Sequence, residues 1–82
     1  MKRHEFVLMK FKKNEDRLSG ELVLSGLTVS EARRITGSAS TDPMYESLQV
    51  TSSLARRLQH FASENLDTKR FDYFLERRYA DE

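Results

Sequence analysis

The 82-residue sequence lacks cysteine altogether and has a single proline and no long apolar run. Without cysteine, disulfide bonds and thiolate metal sites are excluded, which fits a reducing cytosol. The apolar run from Phe6 to Met9 meets Lys10 after four residues. A secretory signal needs a longer run and a membrane span a far longer one. We therefore expect a cytoplasmic protein that makes no use of a membrane.

Catalytic and nucleotide-binding motifs are also missing. The sequence contains no G-x-S-x-G, no G-x-x-x-x-G-K-[ST] and no G-x-G-x-x-G. His60 and Glu64 have the i, i+4 spacing of a helical metal site, but two ligands without a third are weak evidence. A chain of this length can rarely enclose a substrate pocket of roughly 300 Å³. We expect no enzyme activity, no metal and no cofactor.

Charge is almost balanced, with 14 basic and 13 acidic side chains giving a net charge of +1. Nucleic-acid-binding domains are usually strongly basic, so this balance does not favour a nucleic-acid partner. The arginine doublets, such as Arg77-Arg78 beside Tyr79, nevertheless leave open a small RNA-binding or regulatory module. From Ile35 to Ala55 there is no Lys or Arg, and the only charged residues are Asp42 and Glu46.

Residues 4–12 and 17–25 are predicted to form a β-hairpin around Asn14-Glu15. A register whose paired positions sum to 29 gives one predominantly apolar face, which we expect to be the core face. It consists of Val7, Met9, Phe11, Leu18, Leu22 and Leu24. Phe6, Leu8 and Val23 then fall on the second face. They are either covered by the tail or Leu66, or form a docking or self-association patch.

Two helices are predicted downstream. Thr28 and Glu31 have capping-box spacing before a short helix from Val29 to about Thr36, which Gly37 would end. Thr51 can cap a second helix running to about Glu64 and closed by Asn65. Its buried stripe at helical spacing is Leu54, Leu58, Phe61 and Ala62.

The tail from Phe71 to Tyr79 alternates as a strand would but also fits a helix face. Its aromatic content favours a third strand beside the hairpin. The fold class expected is therefore α+β: a β-hairpin, two short helices and a C-terminal strand forming a small antiparallel sheet packed by helices. Because the sequence begins with Met1, we expect one whole gene product and a single domain spanning residues 1–82.

The segment from Asp42 to Ser47 is the most unusual piece of the chain. It holds the only proline, a Met-Tyr pair and two carboxylates. It is either a turn that covers the edge of the core or an interaction loop suited to a basic partner. On the second interpretation the partner-binding residues are Asp42, Met44, Tyr45 and Glu46, with Asp72 and Glu76 as further contacts.

Several blocks together resemble the small immunity-type proteins of contact-dependent growth inhibition and related polymorphic toxin systems. They are Gly20-Glu21-Leu22-Val23-Leu24, Gly26-Leu27, Thr41-Asp42-Pro43-Met44-Tyr45-Glu46-Ser47, Val50-Thr51, Leu66-Asp67 and Phe71-Asp72-Tyr73-Phe74-Leu75-Glu76. The resemblance implies a protein that binds a cognate bacterial toxin domain tightly, plausibly a nuclease, and blocks it without any enzymatic activity. An accessory subunit that docks through an apolar patch is the other alternative. The free chain is expected to be a monomer or weak homodimer.

Overall fold

The computed structural model describes residues 2–39, 41, 44 and 46–81. Its strands and helices follow one another as β1 (Lys2–Lys12), β2 (Leu18–Leu24), α1 (Val29–Thr36), β3 (Leu48–Gln49), α2 (Ser52–Leu58) and β4 (Phe71–Asp81). All four strands form one open antiparallel sheet in the order β2-β1-β4-β3. The α+β class and the C-terminal strand are confirmed. The two-residue strand β3 was not predicted.

Strands β1 and β4 form the centre of the sheet. They pair without interruption from Lys2 opposite Asp81 to Lys12 opposite Phe71. This pairing joins residues that lie far apart in the sequence, so it is a non-local contact that closes a long loop. Strand β3 adds only two residues at the far side, opposite Phe74 and Leu75.

The predicted register of the hairpin is correct only next to the turn. Phe11 lies opposite Leu18 as expected, but Lys10 lies opposite Gly20, so Ser19 is an extra residue in β2. Beyond this β-bulge the paired positions sum to 30, with Leu8 opposite Leu22. One extra residue in a strand moves every side chain beyond it to the other face, relative to the side chains of the partner strand.

The faces of β1 are consequently the reverse of those predicted. Phe6 and Leu8 are buried in the main core with Leu24, against the helices. Met9 and Phe11 lie on the opposite side of the sheet. The cause is that β1 is apolar on both faces from Phe6 to Met9, so only the partner strand and the bulge decide which face meets the helices.

Helix α1 begins and ends as its local signals predict. The Thr28 side chain accepts a hydrogen bond from the Glu31 backbone N–H at 3.1 Å, which satisfies one of the free donors of the first turn. Gly37 has φ 71°, and the next residue, Ser38, donates its N–H to the Arg33 carbonyl at 2.9 Å. This left-handed ending is the conformation that glycine adopts most readily.

Helix α2 is shorter than predicted. Thr51 caps it, but it ends at Leu58 and passes into a single 3₁₀ turn over Gln59–Phe61. The Gln59 side chain then donates to the Glu64 carbonyl at 2.8 Å and accepts from the Leu66 N–H at 2.7 Å. Gln59 is not part of the predicted buried stripe of this helix. Its side-chain amide forms hydrogen bonds with the backbone of residues 64 and 66, after the chain has turned away from the helix. A longer helix would lose these bonds, which explains why α2 ends early.

The core lies between the helices and one face of the sheet. Its fully buried side chains are large: Tyr73, Phe6, Leu8, Leu58 and Leu75. The hydroxyl of Tyr73 accepts a hydrogen bond from the Asp67 N–H at 3.1 Å, so its polar end is satisfied. Among the residues that the structure describes, no helix has the length and apolar character needed to cross a membrane.

Candidate protein-binding face

The second face of the sheet has no helix packed on it in the described part of the chain. Its apolar residues are outside the core cluster that joins the helices to the sheet. Leu18 and Val23 are 47% and 44% exposed, and Met9, Phe11 and Phe74 are half-buried. We call this the open sheet face. It comprises Glu5, Val7, Met9, Phe11, Leu18, Glu21, Val23, Asp72, Phe74, Glu76 and Arg78.

An ionic bridge crosses the open sheet face. Arg78 on β4 donates from Nε to Glu5 Oε2 at 2.9 Å and from Nη1 to Glu21 Oε1 on β2. In the register, Glu5 is opposite Arg78 and Glu21 is opposite Met9, so the guanidinium reaches diagonally across β1 over Val7. This explains why Val7 is 1% exposed without a helix above it.

The bridge also affects the titration of Arg78. Its hydrogen bonds to Glu5 first, and then to Glu21, raise the pKa of the guanidinium above its ordinary value. Because two carboxylates surround one cation, the bridge remains net negative. The half-exposed side chains around it place it at the surface, where such pairs contribute modestly to stability.

A shallow depression lies at the hairpin end of the same face. Its volume is about 340 Å³, and it is lined by Phe11, Glu15, Asp16, Asp72 and Phe74. The two phenyl rings meet edge to face, with centroids 5.7 Å apart and an interplanar angle of 87°. We call it the hairpin-tip depression. It combines an apolar floor with three carboxylates from the turn and from β4.

The structure places two of the predicted partner-binding residues, Asp72 and Glu76, on one side of the sheet. They alternate with Phe74 on the open sheet face of β4. The Ser47 hydroxyl donates to Glu76 Oε2 at 3.3 Å. Glu46, the residue before Ser47, is exposed. Glu46 is therefore linked to this face through its neighbour Ser47.

The expected exposure of Met44 is wrong. Its side chain is only 7% exposed and belongs to the core cluster. Its backbone φ of 62° is in the left-handed region, and core packing of the thioether compensates for that conformation. Met44 thus covers the core, the other role considered for this segment, and cannot be a direct contact. Asp42 and Tyr45 lie outside the described residues.

The predicted docking patch of Phe6, Leu8 and Val23 is likewise divided. Phe6 and Leu8 are only 2% and 0% exposed because they lie in the core, so they cannot belong to a docking patch. Val23, in contrast, is exposed on the open sheet face. Phe11 and Phe74 were not predicted as surface aromatics. For Phe74 the available signal was that every second residue, Asp72, Phe74 and Glu76, puts an aromatic ring between two carboxylates on one strand face, which is typical of neither a core face nor an ordinary solvated face.

The possible metal pair is not on one helix. His60 lies in the 3₁₀ turn, and Glu64 lies beyond it, where its carboxylate accepts from Lys10 Nζ at 2.9 Å. Lys10 also sits 4.1 Å from the centre of the Phe71 ring. Within the described residues no group of three or more His, Cys, Asp or Glu side chains is placed to hold a metal ion.

The two helices, which we call the helical layer, carry a positive charge. They contain four arginines, with Arg33 and Arg34 in the last turn of α1 and Arg56 and Arg57 in the last turn of α2, against one acidic residue, Glu31. Cations at helix C-termini compensate the helix dipole, which accounts for their positions. The helical layer is therefore more basic than the open sheet face.

Fold and face together define a small α+β domain with one side of its sheet left free of helices. The chain belongs to a family described as a domain of unknown function (DUF7683), whose profile matches residues 5–76. No curated protein and no solved structure matches the chain.

Proposed function

We propose that this chain is a cytoplasmic immunity protein, which neutralises a cognate bacterial toxin domain by binding it in a one-to-one complex through the open sheet face. The observation that carries the proposal is an uncovered sheet face with apolar side chains nearly half exposed inside a border of carboxylates. Apolar patches bordered by polar residues are typical of interaction surfaces. The sequence resemblance to immunity-type proteins supplies the class of partner.

The open sheet face supplies part of an interface of standard size. Strands β1 and β4 each contain 11 residues, β2 contains 7 and β3 contains 2. At ~3.3 Å per residue and ~4.8 Å between strands, the face measures roughly 500 Å², below the ~800 Å² per partner of a standard interface. Neighbouring surface must therefore contribute as well, and this is why we include the exposed Glu46 among the contacts.

The charge of the face indicates the kind of toxin. Glu21, Asp72 and Glu76 project from this side of the sheet. Among the described residues, the cations that form ion pairs with carboxylates of this face are Arg78 and Lys13. A nuclease must present positive charge to bind phosphate. An acidic face would therefore associate rapidly with such a surface and compete with the nucleic acid for it.

The test is co-expression with the toxin-like C-terminal domain of the protein encoded immediately upstream of this chain's gene. We expect the chain to restore growth and to co-purify with the toxin domain in a one-to-one ratio. Absence of such a neighbour, or a toxin domain that remains fully active in the presence of excess chain, would contradict the proposal.

A pair of variants separates the open sheet face from the rest of the surface. Val23→Lys places a cation on the edge strand β2 of the open sheet face, opposite Val7, and we expect at least a tenfold rise in Kd for the toxin domain. The control is Leu48→Lys, because Leu48 is 38% exposed but pairs with Leu75, whose side chain points to the core side. Equal effects of the two substitutions would exclude the face.

A second candidate is RNA binding by the helical layer. It is favoured by the exposure of Arg34, Arg56 and Arg57 on neighbouring helices. Retention of RNA by the purified chain that weakens steeply with salt would support it, and Arg56→Glu would abolish that retention. No retention at low salt would remove it.

A further inference from the structure

We infer that the hairpin-tip depression receives an arginine side chain of the partner protein and serves as the anchor of the complex. The inference rests on the proposed function for the partner, and it adds the chemistry of the contact and its place on the face. It is carried by the aromatic floor, the three carboxylates and the position of the depression at one end of the open sheet face.

The shape and the floor of the depression match a guanidinium group. A planar cation stacks on an aromatic ring and pairs with carboxylates at its edge, whereas an ammonium group is a point charge that keeps its water more strongly. Phe11 and Phe74 provide the rings, and Asp72 lies directly opposite Phe11 in the sheet. Apolar contact and charge pairing are therefore available to one side chain at once.

Of the three carboxylates that line the depression, only Asp72 has an ion pair within the described part of the chain. Lys13 Nζ lies 3.2 Å from Asp72 Oδ1, with the two side chains 43% and 38% exposed. Exposed pairs of this kind contribute little and exchange readily. Glu15 and Asp16 are both exposed and have no ion pair among those resolved. Arg17, the nearest other cation along the chain, is exposed and is not among the lining residues.

Anchoring by one desolvated arginine is a common arrangement in protein interfaces. Arginine and aromatic residues are enriched at the positions that dominate binding, surrounded by contacts that exclude water. Here Met9 and Leu18 flank the rings on the open sheet face. They would provide the surrounding contacts, while the depression would fix the register of the partner on the sheet.

The test uses the full chain and a small probe, so that it does not depend on the toxin. Isotope-labelled chain is titrated with N-acetyl-arginine-methylamide in an NMR experiment, with the citrulline analogue as an uncharged probe of nearly the same shape. We expect saturable shifts centred on residues 11, 15, 16, 72 and 74 for arginine, and at least fivefold weaker binding for citrulline. A lysine analogue should bind more weakly than arginine.

Two variants should change the affinity for the arginine probe in opposite directions. The double variant Asp16→Asn with Asp72→Asn should weaken arginine binding at least fivefold. Lys13→Gln should strengthen it about twofold to fivefold, because it removes the competing cation. The control is Glu31→Gln, which removes a carboxylate from the helical layer while glutamine preserves the capping box, and it should leave binding unchanged.

Two results would overturn the inference. One is equal binding of arginine and citrulline, and the other is shifts spread over the chain without a maximum at the depression. Failure here with a toxin domain still bound would reject the anchor alone. If the arginine probe binds but no toxin complex forms, the proposed function is rejected. The depression would then still be a site that binds a cation.

Discussion

Replacing two adjacent residues of β1, Leu8 and Met9, should have sharply different effects on stability. Leu8 is 0% exposed and is paired with Leu22 on one side and Leu75 on the other in the centre of the sheet. Because both neighbouring strands hold the site open, it can relax little after truncation. We expect Leu8→Ala to lower the free energy of unfolding by about 3–4 kcal/mol.

Met9 lies on the open sheet face and is only half-buried. Removing its partly hydrated side chain should cost about 1 kcal/mol, because less apolar surface returns to water and no closed cavity forms. A domain of this size has a total stability of ~4–12 kcal/mol, so the two variants should be clearly separated. Leu8→Val, expected to cost about 1–2 kcal/mol, covers the case in which the alanine variant does not fold.

Urea denaturation followed by circular dichroism measures the difference. The slope of free energy against urea should be unchanged, so that the midpoints report stability directly. In thermal melting, the Leu8→Ala midpoint should fall by ~12–32 °C. A Met9→Ala variant as unstable as Leu8→Ala would refute the assignment of faces, and with it the open sheet face itself.

The other predictions concern single interactions and the same melting assays check them. Gly37→Ala should cost ~1 kcal/mol, because φ 71° is strained for a residue with a Cβ atom. Tyr73→Phe should cost ~1–2 kcal/mol, because it leaves the Asp67 N–H without its 3.1 Å partner. Arg78→Met should cost no more than ~1 kcal/mol at this exposed bridge. Hydrogen bonds to Glu5 and Glu21 raise the pKa of Arg78 above its ordinary value, so its stabilising contribution is fully present below that ordinary value and is lost only as the pH rises through the raised pKa. Arg78 therefore stays charged between about pH 6 and 9, and the cost of Arg78→Met should not change with Arg78 titration over that range. Full stability of Gly37→Ala would contradict the left-handed helix end, and full stability of Tyr73→Phe would contradict the hydrogen bond to Asp67. A large pH dependence of stability that Arg78→Met removes would contradict the account of the Arg78 bridge.

Local signals predicted the helix ends that depend on local contacts. The capping threonine and the left-handed glycine of α1 act within a few residues, so Thr28 and Gly37 could be identified from spacing alone. The end of α2 depends on the Gln59 amide, which bonds to residues 64 and 66 after the chain has turned. No helical periodicity contains that information.

The faces of the sheet could not be assigned from β1 by itself. Residues from Phe6 to Met9 are all apolar, so both faces look like a core. The decision lies in Ser19, which is accommodated as a bulge, and in β4, which pairs with β1 from the other end of the sequence. Asp72 and Glu76, the carboxylates proposed as contacts on β4, lie on the same side because they are four residues apart on one strand. Phe11 and Phe74 could be recognised as surface residues only once the face of β1 was assigned correctly.

A methyl-resolved NMR titration of the chain with its toxin domain tests the central claim most directly. If the open sheet face binds the toxin, the methyl signals of Met9, Leu18 and Val23 shift or broaden on complex formation. Those of Ile35 and Leu54 in the helical layer remain in place. Shifts confined to the helical layer, with the three open-face residues unaffected, would contradict the account.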